Sequence, residues 1–286
     1  MLRAMRRFAP GFELYSVRSL LARDFEGTLA ALARLGYREV EGSDLFGRSP
    51  AEARRVFEGL GLAAPAWHCF LDPENDATLE GAIERAAELG AHFLVAATAK
   101  ELVGLGPEGV TLRDDLSAAG YQGIAVYLNR AGERAAAAGL RFAYHNHAVE
   151  LAEVEPGRSG LALLLAETDP ARVGFELDLC WTVAGGADPR ALFAAHPGRF
   201  PLCHAKDTDA RAKDTDARGK DLDVGAGTID FDAILSDAER AGIEHLFVER
   251  DEEEDPLRTA ERGFAHLARW WSPDGGGRRS GQAGAA

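Results

Sequence analysis

Residues 12–42 read FELYSVRSLLARDFEGTLAALARLGYREVEG, and this stretch has the pattern of a strand, a helix and a second strand. Apolar residues recur every three or four positions between Asp24 and Leu35, which predicts an amphipathic helix. Gly36 follows at the position where a left-handed glycine ends many helices. The first strand runs into residues 15–18 without the glycine-rich phosphate turn of a doubly wound sheet. The stretch therefore predicts one strand–helix unit of a different parallel α/β fold.

The same alternation of a short apolar run and a longer amphipathic run continues along the chain. The strand-like runs are residues 12–16, 38–42, 63–70, 92–98, 141–147, 172–179, 200–205 and 244–250. Eight such strands, each leading to a helix, within 286 residues predict a single (β/α)8 TIM barrel. A doubly wound open sheet is the alternative, which the missing glycine-rich turn disfavours.

The ends of the chain differ in composition from the predicted barrel, which we expect to span residues 11–270. Residues 1–10 contain arginines but no apolar stretch of the kind that signal peptides have, so we expect a ragged N-terminal tail. Residues 271–286 are rich in Gly, Ala and Ser, which predicts a disordered C-terminal tail.

The composition narrows the classes of partner. A formal net charge of -14 repels polyphosphate, so we expect no nucleic acid partner. No apolar run approaches the ~20 residues of a membrane span, so we expect no membrane partner either. The chain has three cysteines, an odd number that lacks the regular spacing of a disulfide framework. We therefore expect a protein of the cytoplasm, where thiols stay reduced. A homodimer is expected only because many soluble barrels self-associate.

Polar residues lie near the C-terminal ends of the predicted strands, at the rim where such barrels carry out chemistry. Barrel strands are buried on both faces, so these polar groups need partners. The fifth to the eighth strand each offer one such group: His145, Asp178, His204 and Glu249. Two imidazoles and two carboxylates suit one divalent metal ion of the Mn²⁺, Zn²⁺, Co²⁺ or Mg²⁺ type. The sequence therefore predicts a metal site above the barrel axis.

Further polar residues surround this predicted metal site. Glu150 is an alternative to His145 as the ligand from the fifth strand, and Glu176 lies one layer deeper, where it would hold a ligand in place. Lys206 would stabilise an oxyanion or hold an acidic substrate group. The residues predicted to contact a substrate are Glu41, His68, Trp181, Lys206 and Arg250. Trp67 and Phe70 would add an apolar wall for a sugar ring.

Several segments resemble the xylose-isomerase-like TIM barrels, specifically the sugar phosphate isomerase/epimerase group. They are ELYSVRSLLARDFEGTLAALARLGYREVE (13–41), YHNHAVE (144–150), FELDLCWTVAGGADP (175–189), PGRFPLCHAKD (197–207), VGAGTIDF (224–231) and FVERDE (247–252). The resemblance implies a divalent metal held by groups on strands five to eight. It also implies acid and base groups that move protons at the carbons beside the metal-bound sugar oxygens, which gives isomerisation, epimerisation or, in some relatives, dehydration.

The resemblance assigns roles residue by residue. Asp178, His204 and Glu249 match the ligand positions of the family, and Trp181 stands where relatives often place a substrate-contacting histidine. Relatives that epimerise sugars commonly have a glutamate on the fifth strand, and His145 stands at that position here.

The catalytic groups follow from this departure. Glu249 would be one base, and Lys206 would assist it. His145 or His147 would serve as the second base, because an imidazole titrates near neutral pH. Glu150 would be the alternative second base, as a carboxylate that swings into the site.

These residues predict a metal-dependent isomerase or epimerase of a small-molecule carbohydrate. Proton abstraction beside a carbonyl needs a base and a group that stabilises the enediolate, and a metal supplies the latter. One alternative is a dehydratase or lyase acting on a keto-sugar or an inosose. Another is a catalytically inactive barrel that binds carbohydrate. A multi-zinc DNA repair endonuclease is disfavoured by the net charge of -14.

The stretch VGAGTIDF (224–231) follows the seventh strand, in a loop where barrels often bind phosphate. Its glycines would let backbone amides face an anion. It lacks the GK[ST] ending of a P-loop, however, and a tight turn before a helix explains it equally well. We infer no phosphorylated substrate from it.

The heptad AKDTDAR occurs twice in tandem, at residues 205–211 and 212–218. Lys206 continues directly from His204, so the first copy occupies the family position. Every residue of the second copy is polar or alanine, which predicts an insertion in a surface loop. A lid that gains charge from Lys213 and Asp214 is the alternative.

Deletion of residues 212–218 should leave metal affinity and catalytic activity nearly unchanged, because lengthening a surface loop has a small entropic cost. Metal titration and turnover of the deletion variant beside the wild-type protein check this. A large loss of either property would support the lid instead.

Overall fold

The computed structural model describes residues 9–106, 109–209, 220–251 and 255–270. Most of the two predicted tails and the whole second copy of the heptad, residues 212–218, lie outside the described residues. The domain limits and the inserted character of that copy therefore stay predictions. The first strand begins at Pro10, one residue before the predicted start of the barrel.

Eight parallel strands form one sheet that curves into a barrel, which confirms the predicted single (β/α)8 TIM barrel. The strands are β1 Pro10–Glu13, β2 Glu39–Glu41, β3 Ala66–Cys69, β4 Phe93–Ala96, β5 Arg141–His145, β6 Val173–Asp178, β7 Leu202–Ala205 and β8 His245–Val248. Their order in the sheet is β2-β1-β8-β7-β6-β5-β4-β3.

Backbone hydrogen bonds join β2 to the chain that leads into β3 and through it. The amide of Val40 donates to the Ala63 carbonyl over 2.8 Å, and the amide of His68 donates to the Gly42 carbonyl over 2.9 Å. These bonds close the barrel at the one place where the sheet order ends.

Helices surround the barrel and connect its strands. The α-helices are Arg18–Leu21, Phe25–Leu35, Pro50–Gly59, Asp76–Leu89, Ala118–Ala137, Gly160–Glu167, Leu179–Ala184, Pro189–Ala195, Phe231–Ser236, Ala238–Ala241 and Pro256–Leu267. Single 3-10 turns lie at Leu14–Val17, Lys100–Leu102, Val149–Leu151 and Ala268–Trp270. Among these helices, none has the length and apolar character that a membrane crossing requires.

Three small antiparallel hairpins, which the sequence patterns did not predict, follow β4, β5 and β7. They pair Val103–Gly106 with Gly109–Leu112, Glu153–Glu155 with Arg158–Ser159, and Asp207–Thr208 with Asp221–Leu222. Strands of two to four residues are too short to display the alternation on which a strand prediction rests. All three project from the C-terminal end of the barrel, around the predicted site.

The interior of the barrel is apolar below and polar above. The lower part is a separate cluster of buried side chains: Ala66, Phe93, Val95, Ala143, Leu202 and Phe247. Two positions further along β3, β5 and β7, on the same face, stand His68, His145 and His204. The apolar cluster closes the barrel from below, so the polar layer opens only towards the C-terminal rim.

Gly36 lets the helix Phe25–Leu35 end close to the helix Pro256–Leu267. Its φ of 117° is left-handed, and an added Cβ would overlap the Phe264 ring, which packs edge-on against Tyr37 at 5.4 Å. Gly36→Ala should destabilise the fold by about 2–4 kcal/mol, from left-handed strain plus overpacking.

Gly61→Ala is the matched control, because Gly61 has a φ of 71° but no atom of the described residues lies within 4 Å of an added Cβ. It should cost only the strain of about 1 kcal/mol. Urea unfolding of both variants measures the difference, and equal losses would show that the Phe264 contact contributes nothing.

Candidate metal centre

Two layers of polar side chains lie at the C-terminal ends of the strands. In the upper layer, Asp178 on β6 is in register with His204 on β7. In the lower layer, Glu176 on β6 is in register with His145 on β5. Side chains two residues apart on one strand point to the same face, so both layers face the barrel axis.

The upper group consists of Asp178, His204 and Glu249, each offering one ligand atom within 4.8 Å of the others. The Nδ1 atom of His204 lies 3.0 Å from Glu249 Oε2. Asp178 caps the helix Leu179–Ala184: its Oδ1 accepts a hydrogen bond from the Trp181 amide over 2.8 Å. Its other oxygen, Oδ2, is buried and has no hydrogen-bond partner among the described residues.

The lower group consists of His68, His145, Glu176 and His204, again within 4.8 Å of one another. One carboxylate oxygen, Glu176 Oε2, lies among the three imidazoles. It is 2.6 Å from His68 Nε2, 3.3 Å from His145 Nδ1 and 3.3 Å from His204 Nε2. The sequence patterns predicted that His145 lies with Asp178. The structure instead groups His145 with Glu176.

Glu41 and Glu13 complete the polar interior from β2 and β1. The Nε2 atom of His204 lies 2.8 Å from Glu41 Oε2, and His68 Nε2 lies 3.6 Å from Glu41 Oε1. Glu41 and His68, which the sequence suggested for substrate contact, are therefore engaged with other protein groups.

Glu13 was missed by the sequence analysis. It accepts a hydrogen bond from the Tyr15 amide through Oε1, whereas its buried Oε2 has no partner in the described part of the chain. The available signal was a charged residue inside a strand predicted to be buried on both faces, the same signal that singled out Glu41.

Lys206 is fully buried beside the upper group. Its Nζ lies 3.4 Å from Glu249 Oε2, forms an ion pair with Asp251, and stands 4.7 Å from the centre of the Trp181 ring. The half-buried His147 also lies near Trp181, with ring centres 6.1 Å apart. Trp181, Lys206 and His147 thus lie next to the upper group.

Two predicted site residues point elsewhere. Glu150 is buried, and its carboxylate accepts hydrogen bonds from the Tyr144 hydroxyl over 2.6 Å and the His147 amide over 2.8 Å. It therefore supports the backbone of His147 and belongs to neither the upper nor the lower group. The Arg250 guanidinium donates to Asp223 over 3.0 Å, which anchors the loop after β8.

The two aromatic residues predicted to form an apolar wall, Trp67 and Phe70, differ in their exposure. Trp67 is 1% exposed and belongs to the hydrophobic core, whereas Phe70 is 68% exposed at the rim.

The glycine-rich stretch 224–231 is anchored by a carboxylate of the protein itself. Asp207 Oδ2 accepts hydrogen bonds from the amides of Gly225 and Gly227, each over 2.9 Å, and Oδ1 accepts one from Ile229 over 3.2 Å. The amides that an anion would need are therefore already paired, which explains the glycines without a phosphate.

Burial dominates the ionisation of the acids in this interior. It raises the pKa of Asp178 to about 8 and that of Glu13 to about 7. Burial, together with the charge of Glu176, raises the pKa of Glu41 to about 8. Glu249 differs: burial would raise its pKa, but Lys206 and His204 hold it well below the usual range. Glu249 is thus the ionised carboxylate of the upper group.

The pKa values of the imidazoles also shift in opposite directions. Burial lowers the pKa of His145 to about 4 and that of His147 well below its usual value, so both rings are neutral at pH 7. For His68, burial lowers the pKa but the Glu41 and Glu176 carboxylates raise it to about 9. Neutral imidazole is the form that binds a metal or accepts a proton.

The residues of the upper group fit a divalent cation. They offer one imidazole and two carboxylates, a donor set that Zn²⁺, Mn²⁺ and Co²⁺ accept. Asp178 Oδ2 is buried without a partner, a costly arrangement that a bound cation would relieve.

Comparison with known proteins gives one family and several similar structures. A model of the family described as xylose isomerase-like TIM barrel matches residues 29–272. No curated protein matches the sequence. The structure is similar to a sugar phosphate isomerase/epimerase from Parabacteroides distasonis ATCC 8503, with 24% identity, a TM-score of 0.76, and coverage of 95% of this chain and 98% of that one.

The descriptions of two further similar structures name an activity or a bound metal. One is the probable 3-DHS dehydratase AsbF of petrobactin synthesis from Bacillus anthracis, with 13% identity, a TM-score of 0.68, and coverage of 92% of this chain and 99% of that one. The other is the IOLI protein with a bound zinc atom, with 18% identity, a TM-score of 0.68, and coverage of 93% and 100%. At such identities the similarity establishes the fold.

Asp178→Asn should weaken Mn²⁺ binding by more than about 100-fold, since loss of a partner that only orients a ligand already costs 10- to 100-fold. The variant keeps an oxygen to cap the helix but removes the charge of the unpaired oxygen. Isothermal titration calorimetry measures the affinity.

Asp188→Asn is the control, because Asp188 caps the helix Pro189–Ala195 in the same way at an exposed position. It should bind Mn²⁺ as the wild-type protein does. Equal affinities of the two variants would remove Asp178 from the ligand set.

Proposed function

Because the chain belongs to the xylose isomerase-like TIM barrel family, we propose that it is a metal-dependent isomerase or epimerase of a sugar or sugar derivative. The reaction is a proton transfer at the carbon next to a carbonyl group. One observation carries this proposal: a buried, ionised carboxylate, Glu249, contacts both the buried Lys206 and His204 at the open end of the barrel.

Asp178, His204 and Glu249 are the residues that would hold the cation, with Mn²⁺, Zn²⁺, Co²⁺ or Mg²⁺ as candidates. When bound there, such a cation polarises the carbonyl and hydroxyl oxygens of a sugar and stabilises the enediolate that forms on proton removal. The His204 side chain is held for this role from its other ring nitrogen, which lies 2.8 Å from Glu41 Oε2.

Glu249 is the base in this proposal. Its low pKa keeps it ionised at neutral pH, so it can accept a proton from the substrate carbon. Lys206 retains its charge, because the pKa-lowering effect of burial is outweighed by Glu249, Asp178 and Asp251. That charge would face the oxygen on which negative charge develops.

His147 is the second proton carrier. Its ring is neutral because burial lowers its pKa, and its Nδ1 makes no hydrogen bond to the described residues. Glu150 fixes the backbone of His147 by accepting its amide hydrogen bond. A base on each side of the reacting carbon would allow epimerisation, whereas Glu249 alone suffices for isomerisation.

Trp181 would form the wall against which the substrate packs. Its half-buried ring has the Lys206 ammonium group 4.7 Å and the His147 ring 6.1 Å from its centre, so a sugar that packs beside it would lie near both groups. We therefore propose a small unphosphorylated carbohydrate as the substrate, since Asp207 already pairs the amides of the loop 224–231.

A dehydratase is the second candidate, supported by the structural similarity to AsbF. It shares the first step, proton abstraction beside a carbonyl, and then needs an acid to assist the departing hydroxide. Lys206 is the group available for that task. The two activities differ in the product, which keeps the mass of the substrate in one case and loses a water molecule in the other.

Glu249→Gln should lower the rate of proton transfer by about 10²- to 10⁴-fold, the usual contribution of a positioned base. The assay incubates the metal-loaded protein in D₂O with a panel of keto-sugars and inosose-like cyclitols and follows C–H exchange by NMR. Glu244→Gln is the matched control, because Glu244 pairs with Arg141 away from the site.

Exchange that persists at the wild-type rate in Glu249→Gln would exclude Glu249 as the base. If no member of the panel exchanged with any of the four metals, the enzymatic proposal would fail. Carbohydrate binding without exchange would then favour an inactive binding barrel.

A further inference from the structure

The lower group contains a second set of converging ligand atoms, distinct from the upper group except for His204. We propose that His68, His145 and Glu176 hold a second divalent cation, one layer deeper in the barrel than the Asp178 site. This proposal concerns metal binding and does not depend on which reaction the upper group catalyses.

Unpaired buried atoms point to this ligand. The His145 side chain is 5% exposed, and its Nδ1 lies 3.3 Å from Glu176 Oε2, which is longer than an ordinary N–H···O hydrogen bond. The other oxygen of Glu176, Oε1, is completely buried and has no partner within the described ranges. A buried polar atom without a hydrogen bond destabilises the fold unless another partner, such as a cation, binds it.

The spacing suits a shared cation. Ligand bonds of about 2.0–2.1 Å at tetrahedral angles place neighbouring ligand atoms about 3.3 Å apart. The contact from His145 Nδ1 to Glu176 Oε2 already has that length, 3.3 Å. The contact from His68 Nε2 to Glu176 Oε2 is 2.6 Å and would lengthen by less than about 1 Å, which a small side-chain rotation achieves.

His204 does not have to serve both cations. Its Nδ1 faces Glu249 in the upper group, at 3.0 Å, and its Nε2 lies 2.8 Å from Glu41 Oε2. Nδ1 would be the ligand of the upper cation, and a hydrogen bond donated from Nε2 to Glu41 would fix that tautomer. The lower cation keeps His68, His145 and Glu176 as its own three ligands.

The acidic character of the interior favours bound cations. Five carboxyl side chains that are at most 7% exposed face it: Glu13, Glu41, Glu176, Asp178 and Glu249. Buried carboxylates persist in the ionised form only when positive charge faces them, which a divalent cation among these side chains would supply.

The ligand types indicate which cation binds in the lower site. Two imidazoles and one carboxylate form a set that transition metals prefer, with positions left open, whereas Mg²⁺ and Ca²⁺ prefer oxygen ligands. Zn²⁺ is the probe that we would use. The upper site, with two carboxylates and one imidazole, accepts Zn²⁺ as well, so one metal can report on both.

The experiment is elemental mass spectrometry of protein dialysed against buffered Zn²⁺, which counts ions per chain. The wild-type protein should hold about two. His145→Gln and Glu176→Gln should each hold about one, and so should Asp178→Asn through loss of the upper ion. His92→Gln, a change of an exposed histidine at the opposite end of the barrel, should keep two. Circular dichroism checks the fold, and His68→Gln replaces any variant that unfolds.

The outcomes separate this inference from the proposed function. A single ion that is lost in Asp178→Asn but kept in His145→Gln would overturn the lower site and leave the upper one intact. A single ion that is lost in His145→Gln but kept in Asp178→Asn would support the lower site and remove the metal from the proposed catalytic group. A wild-type protein that binds no ion would overturn both sites.

Discussion

Uncompensated charge inside the barrel is the constraint on which the rest of this structure depends. Glu41, Glu176 and Asp178 are completely buried, and each costs free energy unless a cation, a proton or a hydrogen-bond donor faces it. The imidazoles of His68 and His204 and the ammonium group of Lys206 face these acids. Within the described part of the chain several buried polar atoms nonetheless remain unpaired, and these atoms support the metal sites that we propose.

The architecture confines that environment to one end of the barrel. Phe93, Leu202 and Phe247 fill the lower interior, so polar groups are tolerated only above them. The polar residues then sort by depth along each strand: Glu176 lies with His145, and Asp178 lies with His204. Parallel register thus converts a two-residue spacing in sequence into two stacked groups of ligands.

Residues around the site combine structural and chemical tasks. Asp178 ends β6, caps the next helix with one oxygen and offers the other to the site. Glu150 supports His147 through its amide, and Asp207 pairs the amides of Gly225 and Gly227. The loops at the rim are thus held by carboxylates that accept hydrogen bonds from backbone amides.

The sequence by itself determined the eight strands, the barrel and the strand ends from which Asp178, His204 and Glu249 project. These follow from local rules: apolar period, glycine stops and the cost of a charge inside a buried strand. The tertiary structure alone decided that His145 joins Glu176, that Glu13 faces the interior, and that Glu150 and Arg250 turn to Tyr144 and Asp223. The reason is physical: a strand pattern gives the face of a side chain, whereas its depth and its partners depend on the stagger between strands and on loops that meet only when the barrel closes.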